Sequence, residues 1–280
     1  MLSLLREYIT VPLKKNTFLL NVVTQYLYCM GYVSYRVHQL LRKPYFGFYL
    51  FSNQDNFRGR QNVIIETAKT LLFKKEQINI LEIGVYCGQT TVALGSLFKY
   101  NDKKFIIEAV DPWDNITKGS DYYNNDFYHS YFYKNLKNRK VEDLFDRNIE
   151  LTNLSKYIKK NKCFSKDFFL QNKKKFDLII IDASHFFQDV FLDILESKKI
   201  LNDNGIIIFD DYELEGSKIS EAELIRIQND DVSFFQGKIQ FHPGVTLAIK
   251  KHFNFDLSVR NGLGIVTLKG REFRDYFGKN

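Results

Sequence analysis

Two short runs concentrate the groups able to do acid–base or metal chemistry. FDLIIIDASH, Phe176 to His185, sets Asp177 before four apolar residues, then gives Asp182 and, three positions on, His185. GIIIFDDY, Gly205 to Tyr212, ends its apolar run in Asp210 and Asp211. Apolar runs of this length suit strands covered on both faces, and open parallel sheets place active sites at the carboxyl ends of such strands. Asp182, Asp210 and Asp211 would then aim into one crevice. Clustered carboxylates raise each other's pKa values unless a cation lies among them. Oxygen-only ligands select Mg2+, Ca2+ or Mn2+ over zinc, and an octahedral ion with three protein oxygens keeps positions open for substrate hydroxyls. His185 would be the general base beside it. The plainer alternative makes Asp210 and Asp211 loop and cap residues and His185 a satisfied polar side chain.

These groups need a scaffold, and INILEIGVYCGQTTVALGS, Ile78 to Ser96, supplies its centre. Ile78, Ile80, Leu81 and Ile83 read as a buried strand interrupted by Glu82, a carboxylate too costly to bury unpaired. Gly84 and Gly88 let the backbone turn tightly against a ligand, and Thr90 or Thr91 is expected to help satisfy the amides opening the next helix. FIIEAVDPWD then forms a second strand ending in Asp111. An acid there suits two vicinal ribose hydroxyls, with a helix cap or turn as the simpler alternative.

The spacing Glu82-x-Gly84-x-x-x-Gly88 differs from the dinucleotide fingerprint Gly-x-Gly-x-x-Gly. It resembles motif I of the Rossmann-like S-adenosylmethionine-dependent methyltransferases, and GVYCGQTT is especially similar to the metal-dependent O-methyltransferases of the catechol type. The three-acid set with histidine three residues after the first acid resembles the sugar O-methyltransferases of antibiotic pathways. The resemblance covers roughly residues 60–269. It implies a doubly wound, mostly parallel α/β sheet of seven strands closed by a C-terminal antiparallel hairpin. It implies S-adenosylmethionine held by Glu82, Gly84, Tyr86, Gly88, Thr90, Thr91, Asp111, Trp113, Phe164, Ser165 and Asp182, with Phe164 and Ser165 beside the adenine. It also implies a divalent cation, Mg2+ by preference, on Asp182, Asp210 and Asp211, with catalysis by His185 and Asp182. The acceptor would be a hydroxyl of a sugar or another polar small molecule. Alternatives are a metal-independent methyltransferase, including one acting on RNA, and a non-catalytic cofactor-binding subunit.

The rest of the chain constrains these readings. A net charge of +7 comes mostly from scattered lysines, which argues weakly for nucleic acid. Three cysteines without CxxC spacing, Cys29, Cys87 and Cys163, suit a reducing, cytoplasmic setting. No secretory signal or membrane-spanning run is read at the amino end. Residues 1–59 form a helical, aromatic-rich extension that packs on the main domain or on a second subunit, and residues 60–280 form the catalytic domain. Tyr45 to Arg60 reads as a loop, and the aromatic stretch from Trp113 to Lys140 as a substrate cap bearing His129 or, alternatively, a mobile surface segment. Ser165 is expected to cap a helix, Asp189 and Asp193 to be exposed, and Phe255 to Arg260 to pair with Gly264 to Lys269 around Asn261 and Gly262.

Overall fold

The computed structural model describes residues 17–46, 54–113, 141–237, 239–253 and 257–278. Its elements are α1 (Thr17–Leu40), α2 (Gln54–Leu72), β1 (Gln77–Ile83), α3 (Gln89–Tyr100), β2 (Lys104–Val110), α4 (Val141–Leu151), β3 (Ile158–Asn161), α5 (Ser165–Gln171), β4 (Phe176–Ile181), α6 (Phe187–Ile200) and β5 (Leu201–Phe209). They continue with α7 (Leu214–Ser217), α8 (Glu221–Arg226), β6 (Ser233–Phe235), β7 (Ile239–Phe241), α9 (Pro243–His252), β8 (Val259–Arg260), β9 (Leu263–Lys269) and β10 (Glu272–Asp275).

The main sheet runs β10-β9-β5-β4-β1-β2-β3, with β8 attached to β9. β1 to β5 are mutually parallel, whereas β9 joins β5, β8 and β10 antiparallel. The order reverses between β1 and β4, which opens a crevice outside their carboxyl ends. Alternation along the strands divides the core into two layers. Ile78, Ile80, Leu178, Ile180, Ile206 and Ile208 face the side covered by α2, α3 and α4, where Ala68, Leu94 and Phe145 are buried. Leu81, Ile83, Ile179, Ile181, Ile207 and Phe209 face the side covered by α5, α6 and α9.

The sheet therefore has eight strands where the sequence reading expects seven. The additional edge strand, β10, is short, and Glu272 and Arg274 alternate outward, leaving little apolar signal. Its Asp275 is buried and accepts bonds from the amide and hydroxyl of Ser258 at 3.2 and 2.6 Å. The expected hairpin forms around Asn261 and Gly262, but β8 spans two residues, and Phe255 and Asp256 lie outside the described residues.

Three local expectations change. Helix α2 begins at Gln54, so Arg60 sits on a helix and not in a loop. Phe164, not Ser165, is the residue before α5, and no side chain caps it; the Ser165 hydroxyl bonds Asp193 instead. Asp193 is 4% exposed, and burial pushes its carboxyl up to about 7. Asp189 is exposed as expected and accepts a bond from Ser184 Oγ at 2.7 Å. Of the expected substrate cap, only Trp113 belongs to the described residues.

The end of α1 reaches the domain through Tyr45, whose ring meets those of Tyr35 and His38, each at 5.3 Å between centroids. Asn148 of α4, fully buried, accepts the Tyr45 amide and donates to the carbonyls of Tyr45 and Cys87, all at 2.9 Å. The segment after α1 is thus fastened to the turn that follows β1.

Candidate active site

The turn after β1 is shaped by contacts that tolerate no side chain. Gly84 has φ +81°, and a Cβ there would come within 1.7 Å of the Asp182 carbonyl oxygen. Gly88 has φ +82°, and a Cβ there would meet the Phe145 ring at 2.7 Å. The ends of β1 and β4 therefore touch, and whatever rests on the glycine turn borders the acids of β4. Tyr86 (φ 54°), Trp113 (φ 43°) and Asp211 (φ 55°) also hold the left-handed conformation, unfavourable for such residues and often found at functional sites.

Asp111 fixes this turn from β2. One oxygen accepts the amides of Val85 and Tyr86 at 2.9 and 2.8 Å, and the other accepts Trp113 N at 2.7 Å. Trp113 Nε1 donates to Tyr86 O at 2.7 Å, closing the clasp from the opposite side. Asp111 thus holds the turn through three amides, a role that the reading of it as a ribose acceptor did not include. Burial raises its pKa against the pull of those amides.

Glu82 is buried, and Thr91 Oγ1 donates to it at 2.6 Å. Thr91 therefore serves Glu82 and not the helix amides, and Gly88 stands at the helix start with no side-chain cap. Burial pushes the Glu82 carboxyl up to about 8, so it is mainly protonated at neutral pH. Thr90 is half-buried in the first turn of α3. Phe164 is half-exposed at the head of α5, with Lys166 Nζ 5.5 Å from its ring centroid.

At the second centre, β4 and β5 end in Asp182 and in Asp210–Asp211, and the crevice between them is lined by Ala183, Ser184 and His185. Arg60 reaches in from α2. Its Nη1 is 2.8 Å from Oδ1 of both Asp210 and Asp211, and its Nη2 is 3.8 Å from Glu213. A guanidinium thus supplies the compensating charge that the sequence reading assigned to a metal. Burial pushes Asp210 up to about 6, with Arg60 opposing and Asp211 adding to the rise. The protein around Asp182, and then the charges of Asp210 and Asp211, raise its pKa well above the carboxylate range, although the residue keeps an open face to water. For Asp211, burial is outweighed by His242, His185 and Arg60, which hold it well below that range.

His185 lies between two carboxylates, with Nε2 3.0 Å from Asp211 and Nδ1 2.8 Å from Asp231. Burial works to lower its pKa, but these two partners outweigh it and hold it at about 10. His185 is therefore an imidazolium at neutral pH and not the ready base expected. His242 lies 4.2 Å from it, centroid to centroid, and its Nδ1 is 2.9 Å from Glu213. His242 stands just before α9, and its side chain does not cap that helix.

The expected metal ligands are thus only partly convergent. Among the described residues, the group that brings one ligand atom from each side chain within 4.8 Å of the others is His185, Asp211 and His242, and it includes neither Asp182 nor Asp210. Sequence reasoning missed Arg60, Glu213 and Asp231. Arg60 stands 150 residues from Asp210 and carries no local signature of this contact.

Comparison with known proteins agrees with this architecture. Residues 81–212 match a family model described as a methyltransferase domain. NovP, an O-methyltransferase, is 11% identical with a TM-score of 0.52, over 75% of this chain and 80% of its own. A Bacillus cereus O-methyltransferase in complex with SAH is 17% identical, covering 77% of this chain and 88% of its own at a TM-score of 0.47. TomG of Streptomyces achromogenes, an O-methyltransferase in complex with SAM, is 13% identical over 75% of this chain and 80% of its own, at 0.47. No curated protein matches in sequence. The strand order and the glycine turn define a Rossmann-like fold, and residues 81–212 within it are similar to a methyltransferase domain.

Proposed function

We propose that the protein transfers the methyl group of S-adenosylmethionine to a hydroxyl of a polar small molecule, a sugar by preference. The observation that carries this reading is the close approach of Gly84 to the Asp182 carbonyl, which sets the glycine turn beside the strand end that bears the first acid of the crevice. A methyl held over the glycine turn would face an acceptor seated among the acids. The acceptor oxygen attacks the methyl carbon in line, the carbon–sulfur bond breaks, and its electron pair stays on the sulfur of S-adenosylhomocysteine. Alignment of the two reactants supplies most of the acceleration.

The hydroxyl proton needs a base that is ionised at neutral pH yet basic enough to receive it. Asp210, pushed up to about 6, meets that condition better than His185, which is held charged. Arg60 and the His185 imidazolium balance the charge that the acids would otherwise accumulate. Arg60 lies on Oδ1 of both Asp210 and Asp211, so a cation on the three aspartates would have only their other oxygens and Asp182 to bind.

Support for a sugar acceptor is the sequence resemblance of the DASH and DDY segments to sugar O-methyltransferases. The test is incubation with methyl-labelled S-adenosylmethionine and panels of nucleotide sugars, catechols and RNA. Label should appear as an O-methyl ether on a hydroxylated small molecule. Label on RNA or on an amine would overturn the acceptor class.

A further inference from the structure

The histidines beside the acid crevice form an arrangement with its own chemistry. His185 and His242 are neighbours, each with Nδ1 bonded to a carboxylate, Asp231 in one case and Glu213 in the other. That bond fixes the ring and turns Nε2 away from the carboxylate. In His185, Nε2 lies 3.0 Å from Oδ2 of Asp211. In His242, which is 5% exposed, Nε2 has no hydrogen-bond partner among the described residues. Asp211 divides its oxygens, Oδ1 to Arg60 and Oδ2 to His185, so Arg60 does not cover the side facing the histidines.

We propose that His185, Asp211 and His242 form a two-histidine, one-carboxylate site for a transition-metal dication, with Asp231 and Glu213 orienting its histidines. Ligand atoms within 4.8 Å of one another can surround one ion, since bonds of about 2.0–2.2 Å separate neighbouring ligands by roughly 3 Å. Carboxylates on the distal nitrogens are the arrangement that fixes ligand histidines in metal centres. Five carboxylates, Asp182, Asp210, Asp211, Glu213 and Asp231, gather around Arg60 and the His185 imidazolium, and a dication would take the place of the His185 Nε2 proton, a net gain of one positive charge in a region rich in carboxylates. Two imidazoles select borderline ions such as Zn2+ or Co2+ over Mg2+, which prefers oxygen ligands. The site borders the crevice, so the ion would lie beside the acceptor of the proposed transfer, and its catalytic relevance rests on that reading.

The test is metal binding by the chelator-stripped full-length protein, using Co2+, Zn2+ and Mg2+ alone and following calorimetry and the visible absorption of Co2+. One equivalent of Co2+ should bind about tenfold or more tightly than Mg2+. His242→Gln should weaken Co2+ by about tenfold or more, and Glu213→Gln, which leaves all three ligands in place, by about tenfold. Asp182→Asn should leave Co2+ affinity within about twofold. Mg2+ binding as tightly as Co2+, or Co2+ binding that depends on Asp182 and not on His242, would overturn the site. S-adenosylhomocysteine binding, measured on each protein alongside, checks folding. It also separates the two claims, because its absence in the wild type defeats the methyl-transfer reading whatever the metal does.

Discussion

Asp111 accepts three amides on two oxygens, which makes it the residue whose loss should disturb the cofactor turn most. Hydrogen bonds to a charged group are worth about 1.5 to 3 kcal/mol each. Asp111→Ala should therefore weaken S-adenosylhomocysteine by roughly one to two decades. It should also change the emission of Trp113, the sole tryptophan, whose backbone and indole both belong to the clasp. Unchanged affinity and emission in a folded variant would remove Asp111 from the site. Glu82 yields a pH dependence. Its carboxyl is raised by burial from 4.5 to about 8, so the neutral form is the one the fold prefers. The stability this confers is complete below about pH 4.5 and declines as pH climbs through about 8, at up to about 1.4 kcal/mol per unit. Glu82→Gln keeps an acceptor for Thr91 and should flatten that decline in urea unfolding at about pH 5 and pH 8. An equally steep decline in the variant would place the titration elsewhere. Glu82 and Asp111 were legible in sequence because each stands at a strand end with glycine or proline beside it. Asp231 and Glu213 were not, since each acts by holding a histidine brought near only by folding.

The glycine turn and the helices around it transmit order between the two centres. Gly84→Ala would press a Cβ into the Asp182 carbonyl and force alanine into positive φ. The expected loss is roughly 3 kcal/mol or more, read as a fall in Tm. Gly237→Ala, also at positive φ but in open space, should lose about 1 kcal/mol. Equal losses at the two positions would mean that the contact with β4 is unimportant. Asn148→Ala removes one acceptor and two donated bonds that fasten the Tyr45 segment and Cys87. Destabilisation of about 2 to 4 kcal/mol is expected, with earlier proteolysis near Tyr45. A variant as stable and protease-resistant as the wild type would show that the segment is not held there. Strands β1, β2, β4 and β5 were legible because burial on both faces writes a continuous apolar run. β10, with two outward charges among four residues, and the start of α2 around Gly59 and Arg60, gave no such run. The folding of α2 across that polar stretch is what delivers Arg60 to the acids.

Across the molecule, two layers of core hold β1 and β4 side by side at the point where strand order reverses, and both centres open there. Among the described residues, no helix is long and apolar enough to cross a membrane. The exposed apolar residues of α1 include Val22, Tyr26, Val33 and Val37. The methyl-transfer reading depends on the glycine turn holding the cofactor. Isothermal calorimetry of the full-length protein with S-adenosylhomocysteine tests this most directly. One equivalent should bind, with emission from Trp113 changing in step and both signals weakened in Asp111→Ala. A folded protein that shows no heat and no change in Trp113 up to about 1 mM ligand would contradict the account.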